Sequence, residues 1–256
     1  MNLVKKVRMF NLSAAALRTI GLILAAAGAA GLLIQRRVLG AGSVTGAQLL
    51  EAMEADPGLM GYATMALVFQ AMEACAVPIF AFLLAEDARR TEKIGGMLLR
   101  MLGLAAICQL PYNVLTSGSL LMIRGLNPVF ALVMTLVMLY FFRRFPEKKG
   151  SHRAIKAIAI VFAFLWSNLL GVSHGAACVL LTATLWALKG KPNLQTFLGM
   201  AVIFACSLLN LFYMLAPVSF LFLHFYDGEE GADNKRISAL VYPVCLVAFV
   251  VIALCF

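Results

Sequence analysis

Charge is what this sequence has least of. Only 13% of its 256 residues are Asp, Glu, Lys or Arg, where a soluble globular domain carries about a quarter. Hydrophobic side chains make up 62%, more than a water-soluble fold of this length can cover with polar surface. Acids are scarcer than bases, 12 against 21. The basic excess falls in short clusters between apolar runs and forms no aromatic-interleaved stripe, which argues against nucleic acid and for loops beside an anionic leaflet. No two cysteines form a CxxC pair; Cys75, Cys108, Cys178, Cys206, Cys245 and Cys255 all sit in apolar runs and read as small hydrophobes, not disulfides or zinc ligands. There is no Gly-rich phosphate loop, no low-complexity tract, and no repeat of the kind that marks inverted-repeat transporters. With three histidines, neither a Ser/His/Asp arrangement nor a metal box is recognisable, so no metal is expected.

What is there is a series of apolar runs near the length of a bilayer-crossing helix, about 20 residues. They cover 14–34, 61–85, 97–115, 128–142, 155–170, 175–188 and 237–256. The run 196–225 is too long for one upright span and contains Pro217; divided as 196–212 and 214–225 it brings the count to nine, and left as one tilted or re-entrant helix to eight. The expected fold is all-α: a polytopic integral membrane helical bundle of eight or nine transmembrane helices, forming one domain over 1–256. The N-terminus resembles a signal peptide, but 14–34 is too long for a typical h-region and contains Arg18, so it reads as the first span. With nine spans and the N-terminus inside, Lys5, Lys6, Arg8, Arg89, Arg90, Lys93, Arg143, Arg144, Lys148, Lys149, Arg153, Lys156, Lys189, Lys191, Lys235 and Arg236 face the cytoplasm, 16 of the 21 basic residues. Arg36, Arg37 and Arg124 face outward. That asymmetry points to a bacterial cytoplasmic membrane with a cytoplasmic N-terminus. The longest connection, 35–60, holds helical spacing over 45–56, expected as a short interfacial helix ended by Pro57-Gly58.

Ionisable groups inside apolar runs are costly and mark candidate sites. Arg18 and Arg100 lie at matched depth near the basic face; each either snorkels or, together, they receive a phosphate-bearing ligand. Glu73 is the one acid deep within a span, so it must be neutral or partnered. Gln109, Asn113 and Asn127 flank breaks at Pro111 and Pro128, where interhelical hydrogen bonding is the simpler account. His174 sits at a short outer turn beside Ser167, Asn168 and Ser173, as a cap or as a base.

The block Ala76-Val77-Pro78-Ile79-Phe80-Ala81-Phe82-Leu83-Leu84-Ala85-Glu86, then Thr91, Leu98-Leu99-Arg100 and Gln109-Leu110-Pro111-Tyr112-Asn113, resembles the TraX family. These are bacterial multi-span proteins whose namesake acetylates the N-terminus of conjugative pilin. Asn127 with Phe130, Tyr226-Asp227-Gly228-Glu229-Glu230-Gly231 and Val241-Tyr242-Pro243-Val244-Cys245-Leu246 continue the likeness in order. The resemblance makes Pro78, Phe80, Glu86, Gln109, Pro111, Asn113, Asn127, Tyr226, Gly228, Tyr242 and Pro243 substrate-site or structural motif positions. The departures are specific. An Asp-His pair usual in the first span is replaced by Gly28 and Ala29, the histidine of the terminal motif by Cys245, an arginine by Ala74, and an aspartate by Ser173, next to His174.

The resemblance implies an inner-membrane acetyltransferase-like protein in a conjugation-related setting. Acetyl-CoA or another acyl-CoA would be co-substrate, held by Arg18, Arg89, Arg90 and Arg100, and the acceptor a membrane-associated peptide, pilin or glycan. Acyl transfer needs a base for the acceptor proton, and with both family histidines gone the weak candidates are Glu73, His174 and Cys245, the last a poor nucleophile in an apolar helix. Three readings stay open at this level: an acyltransferase, a TraX-like binding or scaffold protein that has lost catalysis, and a small-solute transporter built on Glu73 and the broken helices.

Overall fold

The computed structural model describes residues 11–40, 46–121, 125–146, 150–232 and 234–255. Among them the regular elements are helical, and the pairing of β type is one isolated bridge between Leu12 and Tyr226. The basic residues Lys5, Lys6, Arg8, Arg124, Lys148 and Lys149, assigned above to loops, lie outside the described residues. The helices are α1 (Ala14–Arg37), α2 (Gly46–Ala55), α3 (Pro57–Arg90), α4 (Ile94–Ser117) and α5 (Pro128–Arg144), followed by α6 (Gly150–Leu169), α7 (Gly175–Ala187), α8 (Pro192–Ala205), α9 (Ser219–His224) and α10 (Lys235–Cys255).

Among the described residues, four stretches are long and apolar enough to cross a bilayer: α1, α3, α4 and Ile237–Cys255 of α10. The segments around α7, α8 and α9 are shorter apolar pieces. Large hydrophobic side chains point outward along them, with Leu99 71%, Phe197 70% and Leu208 91% exposed. An aqueous fold buries such groups; these helices contact lipid, and the chain is a membrane protein.

Local chemistry sets the helix ends. Ser13 accepts from the Ala16 amide, and Asn127 accepts from Val129 with Pro128 in the first turn of α5. Pro57-Gly58 both ends the short helix and opens the next: Asp56 accepts from the Gly58 amide, and Pro57, which has no amide proton to leave unpaired, is the first residue of α3. At 34 residues, α3 is roughly 51 Å long, well beyond the hydrocarbon thickness of about 30 Å.

α3 is the central element. α1 lies along it through small residues: Gly21 under the Phe80 ring, Gly28 against Glu73 and Gly31 against the Ala66 carbonyl. α7 packs on α3, α5 and α6, while α4 packs on α5 and α10. The long run 196–225 resolves into α8, three 3₁₀ turns over 206–218, and α9. Asn210 caps the second turn through the Phe212 amide, and Pro217 withholds a donor from the third. Both ends of this hairpin lie at the end of the bundle that carries the basic residues. Gln195 donates to the Leu185 carbonyl there, and Arg90 donates to Tyr226.

Candidate functional site

The polar floor of the site is built where α3, α7 and the 206–218 turns meet. Glu73 comes from the middle of α3, 17 residues before Arg90, or about 25 Å along the axis. It is buried, and its Oε1 lies 3.7 Å from His174 Nε2, close enough for charge pairing but too long for a hydrogen bond. The other ring nitrogen, Nδ1, is 2.6 Å from the Tyr213 hydroxyl. Next to it, Ser173 Oγ is 2.7 Å from the Tyr112 hydroxyl. His174 is the one non-glycine with positive φ among the described residues, at 61°. L-residues reach that conformation at a cost of about 1–2 kcal/mol.

The amides of the family-like motif hold this turn in place. Gln109 Oε1 accepts from the Asn127 backbone amide at 3.0 Å and from its side chain at 2.8 Å, and the same Asn127 side chain donates to the Ala105 carbonyl at 2.8 Å. Gln109 Nε2 donates to Asn113 and to the Gly125 carbonyl. The loop so fixed pairs with the turn before α7: Gly125 and Leu126 donate to the carbonyls of Leu170 and Gly171, and Ser173 donates to Leu126. A chain of hydrogen bonds therefore runs from the middle of α4 to the backbone of Ser173, next to His174. The interhelical-bonding account of these amides fits this geometry.

A cavity of about 850 Å³ extends from Glu73, His174 and Cys178 to the basic end of the bundle. Its middle is apolar, walled by Leu22, Ala25, Phe80, Met101, Leu104 and Leu132. Its mouth carries Arg18, Arg90, Arg100 and Lys235 against Asp87 and Glu230. The segment 226–231 straps one side of the mouth. Ala14 and Ala15 donate to the carbonyls of Glu229 and Glu230, so the strap satisfies amides that open α1. Arg90 donates to the Glu230 carboxylate at 2.9 Å and to the Tyr226 hydroxyl and Gly228 carbonyl at 3.0 Å. Lys235 bridges Asp87 and Glu230, at 2.8 Å each. The hydrogen bond from Lys235, backed by Arg90, holds the Glu230 carboxyl below its usual range. Partial burial alone would lower Lys235, but its two carboxylate partners hold it above the ordinary lysine value. Arg100 donates to Gly96 of its own helix at 3.1 Å.

The structure thus gathers Arg18, Glu73, Phe80, Arg90, Arg100, His174 and Tyr242 around one cavity. Arg89 is not among its lining residues. Its guanidinium pairs with Glu86, donates to the carbonyls of Leu185 at 2.9 Å and Trp186 at 3.2 Å, and lies 4.9 Å from the Trp186 ring centre, tying α3 to α7. Cys245, on α10, does not line the cavity either. Pro78, Pro111 and Pro243 lie inside α3, α4 and α10. Pro78 has no amide proton to give the Ala74 carbonyl one turn earlier, and beside that gap the Ser219 hydroxyl donates to the Cys75 carbonyl. Tyr213 was not singled out from sequence as a partner for His174; its one signal is its place at the break in the long apolar run. Asp87 carries no signal in the sequence, Lys235 enters there only through the charge rule and Glu230 only through the family-like motif; the fold brings all three to one mouth. Among the described residues no group of three His, Cys, Asp or Glu is placed to hold a metal.

Gly28 is where the chain departs from the family-like pattern and where the geometry is tightest. A Cβ there would lie 2.3–2.5 Å from the Glu73 side chain, its Cβ included. Ala29 is 1% exposed, in an apolar cluster with Tyr112, Tyr242 and Leu246. Compared with known proteins, residues 53–253 match the sequence model described as "TraX protein". No curated protein and no solved structure matches the chain.

Proposed function

The chain belongs to the TraX family, and on that premise we propose that it is a membrane-embedded acyltransferase with His174 as general base and Glu73 as its carboxylate partner. The reading is supported above all by one juxtaposition: a histidine from the turn before α7 and a carboxylate from α3, 3.7 Å apart, at the buried end of a cavity with four cations at its mouth. Gly28, by lacking a side chain, leaves room for Glu73 beside α1. A carboxylate from α3 would then do what the first-span aspartate does in the resembling pattern, and His174 what the missing histidine does.

The geometry supports one assignment of roles. With Nδ1–H donating to Tyr213 Oη, Nε2 presents its lone pair toward the cavity. The acceptor hydroxyl or amine gives its proton to Nε2 as it attacks the thioester carbonyl. The imidazolium that forms is stabilised by Glu73 and returns the proton to the departing thiolate. Arg18 and Arg100, with Arg90 and Lys235 of the strap, are the residues suited to the phosphates of acetyl-CoA or another acyl-CoA. The acceptor would be a membrane-associated peptide, pilin or glycan. In the same reading the basic end faces the cytoplasm of a bacterial inner membrane, the N-terminus is cytoplasmic, and the hairpin of α8 and α9 counts as two short spans in a total of nine.

The test is acyl-CoA turnover by the purified protein in detergent or nanodiscs. His174→Gln is expected to lower kcat about 10²–10⁴-fold, with Glu73→Gln also lowering kcat. Arg100→Ala is expected to raise KM. Turnover unchanged by His174→Gln would refute the assignment. The second reading, a binding or scaffold protein without catalysis, is favoured by Ala29, whose buried apolar surroundings contain no replacement imidazole. Acyl-CoA that raises the melting temperature but is never turned over would select it. Counterflow of a labelled solute in proteoliposomes would instead select a transporter built around Glu73.

A further inference from the structure

The cavity wall is not closed on all sides. Three of its α4 residues, Arg100, Gly103 and Ile107, are exposed, Ile107 by 60%, and so are Ala239 and Leu240 of α10, Leu240 by 55%. Beside them on the same helices are the lipid-facing side chains Leu99, Leu102 and Leu110, and Ile237, Val241 and Val244. The cavity lining therefore continues into the hydrocarbon-facing surface without a polar rim between them. A Cβ built on Gly103 would meet nothing within 4 Å. On their inward faces α4 and α10 share one buried cluster that holds Ala105, Cys108, Tyr112, Tyr242 and Leu246. The opening is a slot on the outer side of that cluster, running from the basic end to the level of Ile107.

One cation stands at the edge of this slot. Arg100 is one turn from Gly103 on the mouth side, and among the described residues its bonding is to the Gly96 carbonyl of its own helix. An exposed guanidinium beside an apolar slot matches a two-part ligand, with phosphate at the arginine and a hydrocarbon chain along the slot. Lys235 and Arg90 add positive potential at the same mouth.

We propose that the slot between α4 and α10 is a lateral lipid-binding site taking an anionic phospholipid from the bilayer, its phosphate at Arg100 and one acyl chain along Gly103, Ile107 and Leu240. The site goes beyond acyl transfer and does not require it. It gives the cavity access from the hydrocarbon phase as well as from water. A chain lying in the slot also covers an apolar wall that is otherwise open to any lipid tail.

The experiment uses the full chain in nanodiscs containing phosphatidylglycerol or phosphatidylcholine with a diazirine in the acyl chain. Labelled peptides are mapped by mass spectrometry after photolysis. Labelling of 97–107 and 238–242 is expected to be about fivefold higher with the anionic lipid, the worth of roughly one charge pair near the membrane surface. Gly103→Trp fills the slot from a position with open space around it, and is expected to cut that labelling about tenfold. Labelling of the lipid-facing 197–209 segment serves as reference and stays unchanged. Arg100→Gln is expected to abolish the headgroup preference while keeping chain labelling. If Gly103→Trp fails to fold, Ile107→Trp is read in its place. Labelling equal between the two lipids and indifferent to both tryptophans would overturn the proposal, as would protection of the slot by contact with a second copy of the chain. Loss of acyl-CoA turnover in the preceding assay, with slot labelling intact, would sink the enzyme reading and leave this one standing.

Discussion

Gly28 and Glu73 cannot both carry full side chains in their present positions, and this exclusion can be measured. A Cβ on residue 28 would lie 2.3 Å from Glu73 Oε2 and 2.5 Å from its Cβ. Rotating the carboxyl relieves the first contact but not the second, so Gly28→Ala must push α1 away from α3. Overpacking of this kind costs about 1–3 kcal/mol. At about 2–4 °C per kcal/mol for a chain near this size, the melting temperature should fall by roughly 2–12 °C. Glu73→Ala keeps its own Cβ and only partly relieves the clash, whereas Glu73→Gly removes both contacts. The decisive variant is therefore Gly28→Asp with Glu73→Gly, which moves the carboxylate from α3 to α1. Each single change is expected to destabilise, and the double variant to melt higher than additivity predicts, with a coupling of about 1–3 kcal/mol. The assay is thermal unfolding in a fixed detergent for all four members of the cycle. Additivity within about 0.5 kcal/mol would refute the claim that the two positions compete for one space.

Three further outcomes follow from the same geometry. His174→Ala should be less stable than His174→Gly by about 1 kcal/mol, because φ is 61° and glycine adopts that conformation without strain; comparison of their melting temperatures checks this, since both lose the ring. Arg89→Ala should cost about 2–4 kcal/mol, since it strips Glu86 and two α7 carbonyls of a buried cation, while Arg90→Ala, at a half-open mouth, should cost under about 1 kcal/mol. The strap should respond to pH at both extremes. Because folding depresses Glu230, its contribution is present above the ordinary glutamate value of 4.5 and is lost as pH falls below that through the depressed value. Because folding raises Lys235, its contribution is present below 10.5 and is lost above it. The protection factors of 226–231, exchange rates corrected for the intrinsic pH dependence of amide exchange, should be highest between those limits and lower in high salt, and Glu230→Gln should remove the acid limb; protection of the strap insensitive to pH would contradict the clamp.

The sequence carried the helical membrane character because apolar composition and the spacing of basic clusters are local quantities. Pro128 after Asn127 and the break at Pro217 were legible for the same reason: proline acts on its own turn. The site was legible only as separate residues. Glu73 and His174 stood out as polar groups in apolar surroundings, but nothing local says that they meet, 101 positions apart in the chain. Arg89 and Arg90 are neighbours of the same charge, yet on a helix they point about 100° apart, so one turns into the α3–α7 interface and the other to the cavity mouth. The strap was hidden for a third reason. Tyr226, Gly228 and Glu230 stand out in the sequence only as part of the family-like motif, with nothing local to say what they touch, and only the return of the hairpin to the basic end brings them over α1.

If Glu73 and His174 act as proposed above, they take the place of the Asp-His pair that the resembling pattern puts in the first span. Ala29 lies among Tyr112, Tyr242 and Leu246, and Tyr112 reaches Ser173, the neighbour of His174. The surroundings of the missing first-span histidine and those of the present histidine are therefore linked by a single side chain. Substitution across helices requires the scaffold to offer two routes to one place, which the junction of α1, α3, α4 and α7 does. It also requires the old position to be emptied, as Gly28 and Ala29 are. Restoring Ala29→His in the wild-type background should then be destabilising, because it inserts an imidazole into a filled apolar cluster. In the background of Gly28→Asp with Glu73→Gly and His174→Gly, the same histidine has a carboxylate next to it. If acyl-CoA turnover returns there, the two arrangements are alternative solutions for one site; if the variant folds and stays inactive, His174 was never standing in for a base on α1.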